Sequence, residues 1–530
     1  MLFVIHLIVL LCLLMPVGAV GDHASPAPAG GAPHSEDPYQ IMPPHPRLKE
    51  AIQRGEVALP RFLAGTAPTQ GLAPDQPRGG AHQFTDPENG KSVSLNALAV
   101  VVDFDDQVKT VQAGFFDTLI FAAPVAGRGS VRDYFREVSY STVDIVTVNL
   151  PGSLGWKRAP QTYSYYVDDN YCMDGVYPHN CQKLAEDIVD AINGVVNFAR
   201  YDNDGDGYTE PLMLIHAGPG AELTGSSADV WSHSWVLHTT KHYDGVWIAD
   251  YVIMPEYWQM VSAATSDMTI GVFAHETAHG FWGLPDVYDR DYSSEGIGNW
   301  SLMASGSWNG PNSGGWGPNG SSPAWPDAWS RTQMGFVTAR SITANAVGRG
   351  IPQAFGNPSP VQTVLKLRSA VLGAQEYWLL ENRQQVSGSY DEYLPGDGLL
   401  VWHVDEAMNI YDKQNNYECT SVPRCQCSDD YHYLLALEEA DGLLDLERNM
   451  DGGDTGDPFP GNTTNRTWTM LTNPESSSWY GGAECTNTCI GVTNISNSGV
   501  AMAADFRVTC GPMPGNWAYL PLVVKNYGAK

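Results

Sequence analysis

The chain has 530 residues, room for two or three domains. Its 43% hydrophobic and 11% aromatic content excludes wholesale disorder. Fifty-nine acidic against 29 basic residues leave a formal charge of -30, which repels nucleic acid and anionic membrane surfaces. That balance suits a soluble exported protein that binds calcium, and 54 Gly with 36 Pro point to a loop-rich, partly β fold.

The apolar run Leu2 to Met15 is short for a bilayer span and is followed by Val17-Gly18-Ala19, so residues 1–19 read as an export signal, with a membrane anchor as the alternative. Cys12 leaves with it. The remaining cysteines (172, 181, 419, 425, 427, 485, 489 and 510) are even in number, which in an exported chain predicts disulfides. Cys172–Cys181 and Cys485–Cys489 are the plausible local pairs, and a zinc site at Cys425 and Cys427 is the competing reading. Residues 20–93 are rich in Pro, Gly and Ala, with one short helical pattern near Arg47 to Glu56. They read as an N-terminal extension and propeptide, or else a plain linker. With no cysteine there, a thiol cannot block a metal.

Beyond Val93 the pattern predicts a buried strand at Ala97–Val102, an amphipathic helix at Ser130–Val138, a second at Cys181–Ile192 and a strand at Pro211–His216. Between these, Asp202, Asp204 and Asp206 alternate with Asn and Gly, and Tyr208 and Glu210 follow. Calcium takes six to eight oxygens from such a loop; the Tyr208 backbone carbonyl can join them and the final ligand comes from Glu210, water or elsewhere, with a solvated acidic turn as the alternative. The twelfth position is Met213, so this is not a complete EF-hand.

The most informative stretch is His275-Glu276-Thr277-Ala278-His279. On a helix, residues four apart share a face, so two imidazoles can meet one zinc ion while Glu276 serves as general base toward its water. The apolar run Met268–Ala274 predicts a buried helix start, which Ser266 or Asp267 can cap. Gly283 ends the helix, and Asp286 is placed to return as a third ligand. A turn carrying Met303 follows. Further on, Glu438 and Glu439 precede Asp441, Asp445, Asp451, Asp454 and Asp457, a second calcium loop or a solvated one. Beyond residue 345, strand-like runs dominate: 361–367, 376–382, 398–404, 433–438 and 500–508. His216, His233 and His238 read as core or surface histidines, with His233 able to line a cleft.

These motifs resemble the immune inhibitor A family of secreted bacterial zinc metalloproteases. The resemblance covers Ser130–Ser139, the Asp202–Glu210 loop, His216–Gly220, Trp231–Trp235, His275–Tyr288, Trp300–Gly310, Leu394–Asp405 and Gly456–Gly461, in that order. It implies an α+β metzincin-like zinc protease domain with a mixed sheet and an active-site helix, followed by a β-rich, sandwich-like C-terminal region. It also implies a zymogen with catalytic zinc, structural calcium and broad endopeptidase activity. His275, His279 and Asp286 map onto the zinc ligands and Glu276 onto the catalytic Glu. The family spacing is H-E-x-x-H-x-x-G-x-x-D, whereas Gly280, Phe281 and Trp282 here put one extra residue ahead of Gly283. Either the helix is one residue longer or it bulges, and Asp289 is the fallback ligand. The expected layout is a signal peptide over 1–19, a propeptide over 20–93, a catalytic domain over 94–345, a β-rich domain over 346–510 and a tail over 511–530. The expected protein is a secreted monomer acting on protein or peptide substrates, with no nucleic-acid partner and no stable membrane association. A catalytically dead binding module and a strict exopeptidase are the rival readings.

Overall fold

The computed structural model describes residues 39–63, 84, 92–123, 129–259, 266–311, 319–356, 363–409, 414–427, 431–480, 485–511 and 513. The export signal and most of the expected tail lie outside them.

The site rests on a six-stranded mixed sheet ordered Tyr39–Ile41, His233–Tyr243, Val246–Tyr257, Leu212–Pro219, Ala99–Asp103, Lys157–Arg158. Its parallel centre is built from strands such as Ala-Val-Val-Val-Asp, buried at every position, as expected for a strand covered on both faces. The two longest strands form an antiparallel hairpin that turns at Asp244 (φ 54°) and Gly245 (φ 87°). Left-handed conformations at both positions match the strand twist, and Asp-Gly favours them.

Helix Val131–Val138 begins where predicted, with Ser130 Oγ accepting from Asp133 N at 3.0 Å, and Cys181–Ile192 follows its predicted bounds. Helix Ile270–Trp282 lies against the sheet. Its cap differs from expectation. Thr269 holds the N-cap position without a side-chain capping bond to the helix. Ser266 Oγ donates to Glu256 O and Asp267 accepts from Trp258 N, so both side chains tie the segment back to the preceding strand.

A five-stranded sheet follows, ordered Leu435–Leu437, Gly398–Asp405, Glu376–Arg383, Val364–Leu367, Arg340–Ser341. Alternation divides its faces. Leu379, Leu400 and Trp402 join the core that includes helix Ile270–Trp282. Trp378, Leu380, Leu399 and Val401 pack with Trp468, Val492, Met502 and Phe506 of a four-stranded sheet. The arrangement is α+β. Among the described residues no helix is long and apolar enough to cross a membrane.

The disulfides are Cys172–Cys181, as expected, and Cys419–Cys427, Cys425–Cys485 and Cys489–Cys510. The Cys485–Cys489 pairing is therefore corrected. The chain fold carries Cys485 to Cys425, and Cys489 to Cys510 after the last strand, which proximity in sequence did not reveal. The same bonds engage Cys425 and Cys427 and leave no zinc site there.

Candidate metal centre and its occluding strand

Helix Ile270–Trp282 brings His275 and His279 to one face, with their Nε2 atoms 2.9 Å apart. The extra residue is absorbed by lengthening. The helix runs regularly to Trp282, Gly283 caps it at φ 63°, and its N–H reaches His279 O at 2.7 Å. No bulge is needed. Gly271 lets the start of the helix close on the loop below, since a Cβ there would meet Ser307 O at 2.1 Å.

Each imidazole is oriented through its other nitrogen. His275 Nδ1 lies 2.9 Å from Leu302 O and His279 Nδ1 2.6 Å from Leu284 O. A carbonyl only accepts, so each Nδ1 carries the proton and each neutral Nε2 presents a lone pair. Asp286 Oδ1 completes the group at 3.2 Å from His275 Nε2 and 3.1 Å from His279 Nε2. All three side chains are buried, and Asp286 Oδ1 has no hydrogen-bond donor. Three converging lone-pair donors with no proton between them repel one another unless a cation sits among them. A two-nitrogen, one-carboxylate set fits zinc with an open fourth position.

Glu276 is buried beside this group with neither carboxylate oxygen hydrogen-bonded. Burial, and then the negative charges of Asp286 and Glu222, push its carboxyl well above the usual range. Met303 is buried in the following turn, and its carbonyl accepts from Val287 N at 3.0 Å.

Asp289 stands apart. Its carboxylate accepts from Asp291 N, Ser293 Oγ, Ser294 N and Ser294 Oγ, which closes a local turn. Asp286→Ala should therefore weaken zinc binding by more than roughly 100-fold, the upper end of what losing a supporting contact costs. Asp289→Ala should leave metal affinity nearly unchanged. Zinc titration of both variants checks this, and the reverse pattern would reinstate Asp289.

Asp202, Asp204 and Asp206 also converge, with one oxygen from each within 4.8 Å of the others. The loop's N–H groups from Gly205, Asp206, Gly207 and Tyr208 point onto them. Tyr208 enters these bonds through its nitrogen. Glu210 is turned inward onto Asn203 N, and burial first of all pushes its carboxyl up to about 8. Glu439, Asp441 and Asp457 form a second acidic group. Glu439 and Asp457 are buried, so the solvated-loop alternative does not hold at those two positions. His216 and His233 are both fully buried, while His238 stacks on Tyr177 at 3.9 Å.

Sequence reading missed what covers the centre. Tyr39–Ile41 pairs antiparallel with the edge strand, Ile41 opposite His233, and Met42 N continues to Ser232 O. Ile41 and Met42 are fully buried. Trp231 Nε1 donates to Met42 O at 2.8 Å and Trp308 Nε1 to Pro43 O at 3.0 Å. Ile41 N donates to Asp286 Oδ2 at 3.2 Å. The following helix, Pro46–Gln53, is pinned by Lys49, which pairs with Glu295.

Residues 86–337 match the immune inhibitor A peptidase M6 catalytic domain. The resemblance read from the motifs thus holds across the segment that contains the His-His-Asp group. A similar protein, Immune inhibitor A from Bacillus thuringiensis subsp. alesti, is 36% identical over 122 residues, covering 20% of this chain and 16% of that protein. The chain therefore matches well under two thirds of that relative's length. The family match supports a metallopeptidase.

Proposed function

We propose that the chain is a secreted, latent zinc endopeptidase with a metzincin-like catalytic unit and a sandwich-like C-terminal region. The observation that carries the reading is the convergence of His275 Nε2, His279 Nε2 and Asp286 Oδ1 beside the unpartnered carboxylate of Glu276. Zinc held by those three groups would polarise a peptide carbonyl and acidify a water. Glu276 would take the proton of that water and pass it to the leaving amine. The disulfides and the acidic charge suit export.

Residues 39–45 supply the latency. They lie across the centre as a substrate strand would, pairing with the sheet edge. Chain continues on both sides of Ile41, so the cleft accommodates a peptide through its middle. That favours an endopeptidase over an exopeptidase. The decisive experiment is casein digestion by the full chain, before and after limited proteolysis releases the segment ahead of residue 93, with and without 1,10-phenanthroline. Internal fragments should appear strongly only after release and vanish with the chelator. Chelator-insensitive cleavage, or release of single amino acids only, would reject the reading.

The Asp202 loop would hold structural calcium. Withdrawing the ion leaves three carboxylates facing one another, so a calcium-selective chelator should lower Tm by roughly 5–10 °C, as expected for losing a ligand present at about 100 times its Kd. Calorimetry checks this. An unchanged Tm, together with no calcium recovered by elemental analysis, would reduce the loop to an acidic turn.

A further inference from the structure

One peptide carbonyl already lies against the His275 imidazole, and a side chain with no role in the reading above holds it. The carbonyl is that of Ile41. Its oxygen is 3.4 Å from His275 Nε2, and Tyr288 Oη donates to it at 2.8 Å. The strand that carries it is paired residue by residue with the sheet edge, Tyr39 opposite Trp235, Gln40 opposite Ser234 and Ile41 opposite His233. An extended substrate would use the same unpaired edge once this strand is released. The Ile41 carbonyl is therefore a stand-in for the carbonyl of a bound peptide at the reacting position.

We propose that Tyr288 is a catalytic residue whose hydroxyl donates a hydrogen bond to the scissile carbonyl oxygen and stabilises the negative charge that gathers there. This rests on the peptidase reading. In the attack, the water oxygen bonds to the carbonyl carbon, the carbonyl π pair moves onto its oxygen, and Glu276 takes the water proton. Tyr288 keeps its own proton throughout and donates more strongly as the charge develops. Its position is preset. The ring is buried and stacked on Tyr292 at 6.2 Å with a 6° interplanar angle. The residue before it is tied on both sides, Val287 N to Met303 O and Ile297 N to Val287 O. Asp286 lies two residues upstream, so one short segment sets both the metal-facing carboxylate and the donor. A donor held this rigidly avoids reorganisation when the charge appears.

The test is Tyr288→Phe, which removes the hydroxyl and keeps the stacked ring. In the full, unprocessed chain, amide hydrogen exchange over residues 39–42 should quicken, with exchange elsewhere unchanged. In the processed, zinc-loaded enzyme, kcat should fall about 100-fold with KM nearly constant, the usual scale for one such donor. Two non-cleavable ligands separate the role from packing. A phosphinic peptide places a charged oxygen at the reacting carbon, and a reduced-amide peptide of the same sequence has no oxygen there. The variant should lose about 100-fold affinity for the first and none for the second. Equal loss for both ligands, or no loss for either, would overturn the proposal while leaving the peptidase reading intact. A processed, zinc-loaded wild type that neither cleaves casein nor binds the phosphinic peptide would defeat the peptidase reading, and the Tyr288 proposal with it.

Discussion

Glu276→Gln should bind zinc as the unaltered chain does and lose casein cleavage by roughly 100- to 10,000-fold, the range expected for a positioned general base. The amide is nearly isosteric, and neither imidazole nor Asp286 depends on Glu276 for orientation. The imidazoles are anchored by Leu302 O and Leu284 O, and Glu276 bonds to none of the three ligands. What changes is proton affinity. Both Glu276 oxygens are buried and accept no hydrogen bond, so no donor competes for the proton they would take. Burial and the charges of Asp286 and Glu222 raise its proton affinity, a property the amide lacks. The comparison requires metal content by elemental analysis and fragment yield by mass spectrometry on the same processed sample. Near-normal cleavage by E276Q at full zinc occupancy would remove Glu276 from the chemistry.

Helix Ile270–Trp282 was legible because two independent patterns agree there, the apolar run from Met268 and the histidine spacing. Position 286 was legible only as a pair of options, because sequence spacing does not show whether an extra residue extends a helix or bulges it. The regular bond from Gly283 N to His279 O settles that geometry. The helix cap was misread since Ser266 and Asp267 have the right chemistry for capping, and tertiary contacts to Glu256 and Trp258 claim them instead. The long hairpin was missed although its Asp244-Gly245 turn is a strong local signal. The occluding strand was beyond sequence reading. Tyr39-Gln40-Ile41 is three residues among prolines, too short for any periodicity, and its burial comes wholly from the cleft it enters. Two disulfides are also beyond local reading, Cys425 and Cys485 being 60 residues apart and Cys489 and Cys510 being 21 apart.

The largest stability effect is expected at Arg383, which no motif marks. Its guanidinium is fully buried and grips Asp391 through Nε and Nη2, while Nη1 lies 3.3 Å from Glu381 Oε1. Glu381 also pairs with Arg331 and accepts from Trp402 Nε1 at 2.9 Å. Arg331 donates in turn to Tyr140 Oη and Pro326 O. Two cations and two anions thus close a neutral lattice where the five-stranded sheet meets helix Ala328–Gln333 and the turn Tyr390–Tyr393. Asp391 extends it toward the catalytic unit by accepting from Trp325 N. Arg383→Ala would leave Asp391 buried without a cation and Glu381 with one instead of two, at a cost of about 3–5 kcal/mol. Arg383→Lys should recover only part of this, since an ammonium cannot span both Asp391 oxygens as the planar fork does. The double change Arg383→Met with Asp391→Leu removes both members of the pair and should cost less than Arg383→Ala alone, because no uncompensated charge stays behind. Urea unfolding midpoints of the three variants, each with calcium and zinc held constant, decide the matter. A double variant as destabilised as the alanine variant would mean that Arg383 acts through its packing rather than by neutralising buried carboxylates.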